Sequence, residues 1–410
     1  MTLESYSISR VITLNVDSCV NTNQFLSRFD SFSSENIFSG EPLDFELSGR
    51  LNNNKIPPIL DLAKPEEAKE LTKIYQDLYY GTYPYREMNN ELEVKKMIMD
   101  PSIQWVTFKN PNGSIVGCVM FVLDFFHKRG YIRGFMLKKK YQGYIDIIKA
   151  MIGSMIGMCC TFKNKILLWY VENRTAHTSS QYPMYRCGLE PIGFYPNKDI
   201  FFGKVESDLM QIAYDKKALK ILRSRENPQI IPEAINCFNY SAERYNLGTA
   251  KIKTPKLKLN KEDIKMYQRK LNKKITRDKF GYYDIKLYFT GTKSYFKFLY
   301  TSQVGNFEKT EYYVINLEEL FVFVQEFNRL AKLLKVRYYE AFISAYEAEH
   351  QTIFYKAGLR PRGYIPSWNY DQKKNVFEDC ILFNEFEGKI DRNIQLISEG
   401  KELLNCLNLI

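Results

Sequence analysis

The sequence contains no C-x-x-C pair and no pair of histidines at metal-ligand spacing. Its eight cysteines (Cys19, Cys118, Cys159, Cys160, Cys187, Cys237, Cys380 and Cys406) therefore read as reduced thiols, and no zinc or other metal site is expected. The N-terminal residues Met1-Thr-Leu-Glu-Ser-Tyr6 lack a basic stretch followed by a long apolar run, so no secretory signal peptide is expected. Long hydrophobic runs are missing too. The most apolar stretch, Ile145 to Phe162, is shorter than a membrane span and carries Asp146 and Lys149, which points to a buried helix. These absences predict a cytoplasmic protein with no membrane partner.

What is present is the composition of a folded chain. At 410 residues, 45% hydrophobic and 26% charged, the sequence is long enough for two or three domains and too apolar for disorder. Its 30 tyrosines and 28 phenylalanines favour sheets with large side chains in the core. The formal charge of +11 is concentrated: Lys251 to Lys279 holds twelve Lys or Arg against three acids. The remainder of the chain is close to neutral.

Residues 1–55 mix short apolar runs with Ser, Asn and Asp and read as an N-terminal extension, closed by the breaker cluster Asn52-Asn-Asn-Lys-Ile-Pro-Pro58. A domain is expected over 56–205. A helix is predicted over Pro65 to Tyr80, since Leu71, Ile74 and Leu78 recur at helical spacing. A hairpin follows about Asn110-Pro-Asn-Gly113, then a strand over Gly130 to Leu137. After the basic turn Lys138 to Gly143 come the apolar helix, a strand over Lys165 to Val171, a short helix ending at Gly188, and a terminal strand pair.

Residues 206–280 read as a helical, basic connector, with Ile264, Tyr267, Leu271 and Ile275 forming an apolar stripe on one helix. From 281 to 388 the series restarts. Two strands flank Thr290-Gly-Thr-Lys, a third covers Glu311 to Ile315, and Asn316 with Glu319 opens a helix by a capping-box pattern. A strand over Tyr338 to Ser344, a helix over Glu347 to Ala357 and a strand over Phe377 to Phe383 complete it, and 389–410 reads as a C-terminal helix.

One signature occurs twice. Tyr185-Arg-Cys-Gly-Leu-Glu-Pro-Ile-Gly-Phe-Tyr-Pro196 and Tyr355-Lys-Ala-Gly-Leu-Arg-Pro-Arg-Gly-Tyr-Ile-Pro366 align with two glycines, two prolines, a tyrosine and a leucine in register, 170 residues apart. An internal duplication explains the match; convergent turn chemistry is the competing explanation.

The order of elements around each signature resembles the GNAT superfamily of acetyl-CoA-dependent N-acetyltransferases, over about 57–205 and 281–385. Tyr79-Tyr-Gly-Thr-Tyr-Pro-Tyr85 and Phe377-Glu-Asp-Cys-Ile-Leu-Phe383 are also similar to segments of β-lysine N-acetyltransferases. The resemblance implies an α/β fold with a mixed sheet, as two tandem GNAT-like domains. It implies acetyl-CoA or another acyl-CoA as cofactor and an amine of a small or amino-acid-like molecule as acceptor.

Residue by residue, the resemblance puts a coenzyme A pyrophosphate on backbone amides at the start of the apolar helix, where unpaired donors and the helix dipole favour an anion. The corresponding residues are Leu137, Lys138, Gln142, Gly143, Tyr144 and Ile145, with Asn173 beyond the next strand. Ile145 and Ile147 stand where the family has small residues, and Asp146 adds a negative charge. The second series offers Val314 to Leu320, with no glycine and two carboxylates, so the first is the better cofactor candidate.

For acid–base chemistry the resemblance implies Glu172, and Tyr185 and Tyr355 in place of the family's acid, each one residue later than the family's position. Packing is the competing role for both tyrosines, and capping of the next helix for Asn173. Glu378 and Asp379 point to opposite faces of one strand, so either could be buried with a perturbed pKa and serve in catalysis. A different reading is a non-catalytic binding protein on two diverged folds, with 251–279 contacting nucleic acid. A third keeps catalysis but takes an RNA or protein amine as acceptor. Oligomeric state is not predicted.

Overall fold

A computed structural model of the chain describes residues 11–12, 21–29, 37–43, 45–47, 55–391 and 393–409. Most of the N-terminal extension expected over 1–55 lies outside them. The chain forms two compact units, both discontinuous. Unit 1 comprises Met1–Glu172, Ser179–Glu190 and Gln211–Lys216; unit 2 comprises Asn173–Thr178, Pro191–Met210 and Lys217–Ile410. The fold class is α/β with mixed sheets.

Unit 1 opens with β1 (Ile59–Leu62), α1 (Ala68–Tyr79) and α2 (Glu91–Met99). There follow β2 (Ile103–Lys109), β3 (Ile115–Asp124) and β4 (Arg129–Leu137), then α3 (Ile147–Thr161), β5 (Leu168–Arg174) and α4 (Gln181–Arg186). The strand order is β5-β4-β3-β2-β1, antiparallel except for the parallel pair β4–β5. Gly113, at φ +81°, closes the β2–β3 turn where the sequence called for a residue tolerant of positive φ.

The apolar stretch is buried core, as its embedded charges implied. From Ile148 to Cys159 every residue of α3 is buried, and Gly153 and Gly157 admit Leu43 and Phe38 so closely that a Cβ would lie 2.8 and 2.4 Å from them. Lys149 keeps its ammonium 5.0 Å from the Phe45 ring, and the Ser154 hydroxyl donates to Ala150 O (2.8 Å). Among the described residues no helix is long and apolar enough to cross a membrane.

The hairpin β6 (Glu190–Phe201) and β7 (Lys204–Tyr214) follows the first signature, and its residues 191–210 belong to unit 2. The rest of unit 2 is built from α5 (Ile235–Tyr245), α6 (Lys261–Lys270), β8 (Leu271–Arg277), β9 (Tyr282–Phe289), β10 (Tyr295–Thr301) and β11 (Asn306–Tyr313). After these come α7 (Leu317–Leu333), β12 (Tyr338–Ser344), α8 (Ala348–Lys356), β13 (Arg360–Asp371), β14 (Val376–Phe386) and α9 (Ser398–Cys406). Its strand order is β8-β9-β10-β11-β12-β14-β13-β6-β7.

The structure departs from the sequence expectations in several places: residues 206–214, expected to open a helical connector, continue β7, and the strand expected over Glu311–Ile315 is β11 at Asn306–Tyr313. The basic stripe is not one helix: α6 stops at Lys270 and β8 pairs antiparallel with β9, Ile275 opposite Ile285. The β-branched pair Ile275-Thr276 suits a strand, and Gly281 at φ +89° turns the chain back into β9. The strand expected at Lys165–Val171 runs three residues later. The C-terminal helix is confined to Ser398–Cys406, because the Gln395 amide donates to Thr175 O (2.6 Å) in extended chain before it.

Both series contain one local feature of consequence. In unit 1 the parallel ladder between β4 and β5 ends at Ile132–Val171, although β4 continues to Leu137. In unit 2 the β11–β12 ladder ends at Phe307–Tyr339, although the strands continue to Tyr313 and Ser344. Each pair of parallel strands therefore parts midway.

Candidate functional site

The turn from Leu137 to Ile145 was expected to cradle a pyrophosphate. Gly143 adopts φ +85° and Gln142 is exposed, its Nε2 donating to Leu137 O (3.4 Å). Tyr144 is exposed and Ile145 buried. Most of the amides, however, are spent within unit 1. Gln142 N–H donates to Lys139 O, Tyr144 and Ile145 N–H to Tyr141 O, Asp146 N–H to Ile56 O (3.1 Å) and Ile147 N–H to Ile145 O. Ile56 N–H donates in turn to Tyr144 O (2.8 Å), so the chain entering β1 is laid along the turn like an added strand.

At the first turn of α3 the Asp146 carboxylate accepts from Lys149 N–H (3.1 Å), taking the place an anion would use. The cations are also engaged. Lys138 Nζ donates to Glu70 and to Ile115 O, both at 2.6 Å; Lys139 lies over the Tyr80 ring and Lys140 over Tyr141. The residues of this turn do not fit a coenzyme A pyrophosphate in the arrangement found.

Unit 2 repeats the pattern with different residues. Asn316 Oδ1 accepts from Glu319 N–H (2.9 Å) at the start of α7. The buried Glu319 carboxylate in turn accepts from Ile315 N–H (2.9 Å) and from the Ser294 hydroxyl (2.5 Å). The Asn316 cap read from the sequence is present, but Glu319 reaches back to Ile315 N–H rather than to the cap residue's own amide, so the capping box is only half made; the two side chains still fill the helix N-terminus.

The expected acid–base residues fall in different surroundings. Glu172, half-buried on β5, and Tyr185, half-buried on α4, belong to unit 1, whereas Asn173, buried, belongs to unit 2. Glu378 is half-buried on β14 and pairs with the exposed Lys374 (3.3 Å). The Tyr355 ring lies 4.4 Å beneath the Arg360 guanidinium, a packing arrangement for that tyrosine.

Asp379 is fully buried, and its two oxygens take three bonds from Arg223, one from Ser367 N–H (3.0 Å) and one from the Tyr364 hydroxyl. Burial opposes the Arg223 charge, but the Asp379 carboxylate holds that guanidinium above its ordinary value. A carboxylate so saturated is a structural anchor with no lone pair left for a substrate proton.

A cluster outside the residues singled out from the sequence has the geometry that those residues lack. On the α8 side of the parted strands of unit 2, His350 Nδ1 lies 2.6 Å from Glu347 Oε2 and 3.2 Å from the Tyr312 hydroxyl at the end of β11. The short contact assigns the Nδ1 proton to the Glu347 pair, and His350 Nε2 has no hydrogen bond among the described residues. The hydrogen bond from His350 holds the Glu347 carboxyl below its usual range, and burial pushes the Tyr312 phenol well above its own. The Glu347/His350 spacing on one helical turn was the available signal; Tyr312 is 38 residues from His350 and gave none.

The chain around each signature runs three antiparallel strands, a helix, a parallel strand, a short helix and a hairpin, with the parallel strands parting. That is the order of the GNAT fold. Among solved structures the chain is similar to a mutant of the spermidine N-acetyltransferase SpeG from Vibrio cholerae, at 13% identity and TM-score 0.34, over 40% of this chain and 96% of that one. SpeG from the same organism in complex with manganese ions gives 13% identity and TM-score 0.33, over 40% and 95%. Its dodecameric form gives 12% and 0.34, over 41% and 98%. No family model and no curated protein matches the sequence. Likeness at this level carries nothing about substrate or site.

Proposed function

We propose that the protein is an N-acyltransferase moving an acetyl or other acyl group from coenzyme A to the amine of a small or amino-acid-like substrate. The observation that carries this reading is the Glu347–His350–Tyr312 cluster beside the parted strands of unit 2. An attacking amine must be neutral, and Glu347 fixes the histidine tautomer whose Nε2 lone pair can take the amine proton. Tyr312, kept protonated by burial, is only at 3.2 Å from His350 and retains its phenolic proton as a hydrogen-bond donor. An acyl-CoA would supply the activated thioester. Its pyrophosphate would need donors other than the amides of the Leu137–Ile145 turn, where unit 1 was expected to hold it.

A second reading has its own support. Asp146 and the Asn316/Glu319 pair occupy the helix N-termini of both units, which favours a non-catalytic binding protein on two diverged folds. Nucleic acid as the partner has no such support. Tyr267, the aromatic residue of α6, accepts from Asn316 Nδ2 (2.9 Å) and packs 5.0 Å from Phe289, so it is turned away from any base.

The test is mass-spectrometric detection of acylated product from acetyl-CoA and a panel of amino acids and polyamines, with thermal unfolding alongside. The reading requires product, reduced on the order of a hundredfold or more in His350→Asn. It also requires acetyl-CoA at a hundred times its Kd to stabilise by about 2.7 kcal/mol. No product and no thermal shift at millimolar acetyl-CoA would leave the binding reading.

A further inference from the structure

Strands β8 to β11 of unit 2 turn one face toward α7, where Phe289, Phe296 and Phe298 pack on Phe323 and Phe327. Side chains alternate along a strand, so the residues between these phenylalanines stand on the opposite face. There they form two rows. Tyr288, Tyr295 and Tyr313 lie directly opposite one another on β9, β10 and β11. Two residues along β9 and β10 comes a second row, Lys274, Lys286 and Lys297 on β8, β9 and β10, which Glu311 ends on β11. Neighbours within a row are about 5 Å apart, and the rows about 7 Å from each other.

This face is open. Tyr313 is 52% and Tyr288 37% exposed, and all three lysines are exposed. Tyr295 is half-buried, with Lys286 Nζ 5.1 Å from its ring centre. None of the three lysines is in an ion pair among the described residues. Like charges set directly opposite on neighbouring strands oppose the sheet, so the row is unfavourable unless an anion lies along it.

The occupant must carry negative charge repeated along a line, with a flat ring face beside each charge. An acidic peptide has the charge without the rings, as does an anionic bilayer. A double helix hides its ring faces in the stack, whereas a single strand offers every base to an aromatic side chain. Glu311 and Asp284, which border the lysine row, are exposed and also unpaired among the described residues. A carboxylate only accepts hydrogen bonds, and a ribose 2′-hydroxyl, which DNA lacks, is a donor.

We propose that this face binds single-stranded RNA, with phosphates along the lysines, bases on the tyrosines and a 2′-hydroxyl on Glu311. The basic helix α6 takes no part through its own aromatic residue, since Tyr267 packs against Phe289. Recognition here is of backbone and ring face, so it is tolerant of base sequence. The site stands whether or not acyl transfer occurs.

Fluorescence anisotropy of the full chain with labelled hexauridylate tests it. Saturable binding is expected. An abasic ribose-phosphate hexamer, equal in charge, should bind about tenfold or more weakly, and so should the uridine hexamer to Tyr288→Leu/Tyr313→Leu. The 2′-deoxyuridine hexamer should also bind more weakly. Lys274→Gln/Lys286→Gln/Lys297→Gln should reduce the slope of log affinity against log salt by about 2. Lys332→Gln/Lys356→Gln, which removes two exposed lysines of α7 and α8, should leave that slope unchanged, and His350→Asn should leave the affinity unchanged. Equal binding of the uridine and abasic hexamers would overturn the assignment, as would a deoxyuridine hexamer bound as tightly as the RNA. So would tighter binding of polyglutamate or phosphatidylserine vesicles, or no saturable binding at all.

Discussion

Gly193 and Gly363 face each other across the antiparallel β6–β13 pair of unit 2, each the second glycine of its copy of the repeated signature. A Cβ on Gly363 would stand 2.6 Å from Ile192 O and 2.8 Å from the Gly193 α-carbon. The backbones meet there because neither residue has a side chain, which gives the repeated glycine a packing reason rather than a catalytic one. Gly363→Ala should therefore destabilise by about 1–3 kcal/mol. Gly193→Ala, whose nearest neighbours would be the Leu382 and Met210 side chains at 3.3 Å or more, should cost less. Urea midpoints of the two variants check the order.

The Arg223–Asp379 pair makes a second prediction. Arg223→Met leaves a buried carboxylate with only Ser367 and Tyr364 to satisfy it, and should cost about 3–5 kcal/mol. Adding Asp379→Leu should recover much of that loss in the same denaturation measurement. If Asp379→Leu alone proved as stable as the wild type, the anchoring role would be wrong.

Acid sensitivity should be traceable to Asp124. Burial raises this carboxyl, but hydrogen bonds from His127 and the nearby Arg129 outweigh it and bring the pKa down to about 2. A folded-state value below the unfolded one means stability that is present above pH ~4 and lost as pH falls toward 2. Asp124→Asn should flatten the fall in melting temperature between those pH values. An unchanged acid limb would put the sensitivity elsewhere.

Asp146→Asn separates the two functions of that carboxylate. Asparagine caps a helix as well as aspartate, so stability should change by only a few tenths of a kcal/mol. If the negative charge is what opposes a phosphate at α3, acetyl-CoA should produce a larger thermal shift in the variant than in the wild type. Asp146→Ala should instead lose about 1 kcal/mol through the missing cap.

Much of the fold was legible in the sequence because its signals are local. Asn316 and Glu319 announce α7, Asn110 to Gly113 announces a turn, and the length and apolarity of the stretch Ile145 to Phe162 announce α3. The stripe Ile264–Ile275 failed because four apolar positions satisfy a helix of one length or a helix followed by a strand. Only pairing with β9 decides between them.

The site was less legible for the same reason. Glu378 and Asp379 were adjacent candidates, but what distinguishes them is Arg223, 156 residues away. The saturation of the Leu137–Ile145 turn depends on Ile56, and the role of His350 on Tyr312. Partners of this kind are fixed by tertiary packing and leave no spacing to read.

The placement of residues 191–210 within unit 2 has a consequence for synthesis. Phe194 O accepts from the Asn384 side chain, 190 residues further along the chain (3.0 Å). At about 5–20 residues per second that partner leaves the ribosome roughly ten to forty seconds after the hairpin does. Until then the hairpin's buried groups, Lys198 and Asp199 among them, have to be kept from competing strands. A nascent chain stalled between residues 217 and 360 would thus be the form of this protein most exposed to aggregation, and no single cut would release either unit intact.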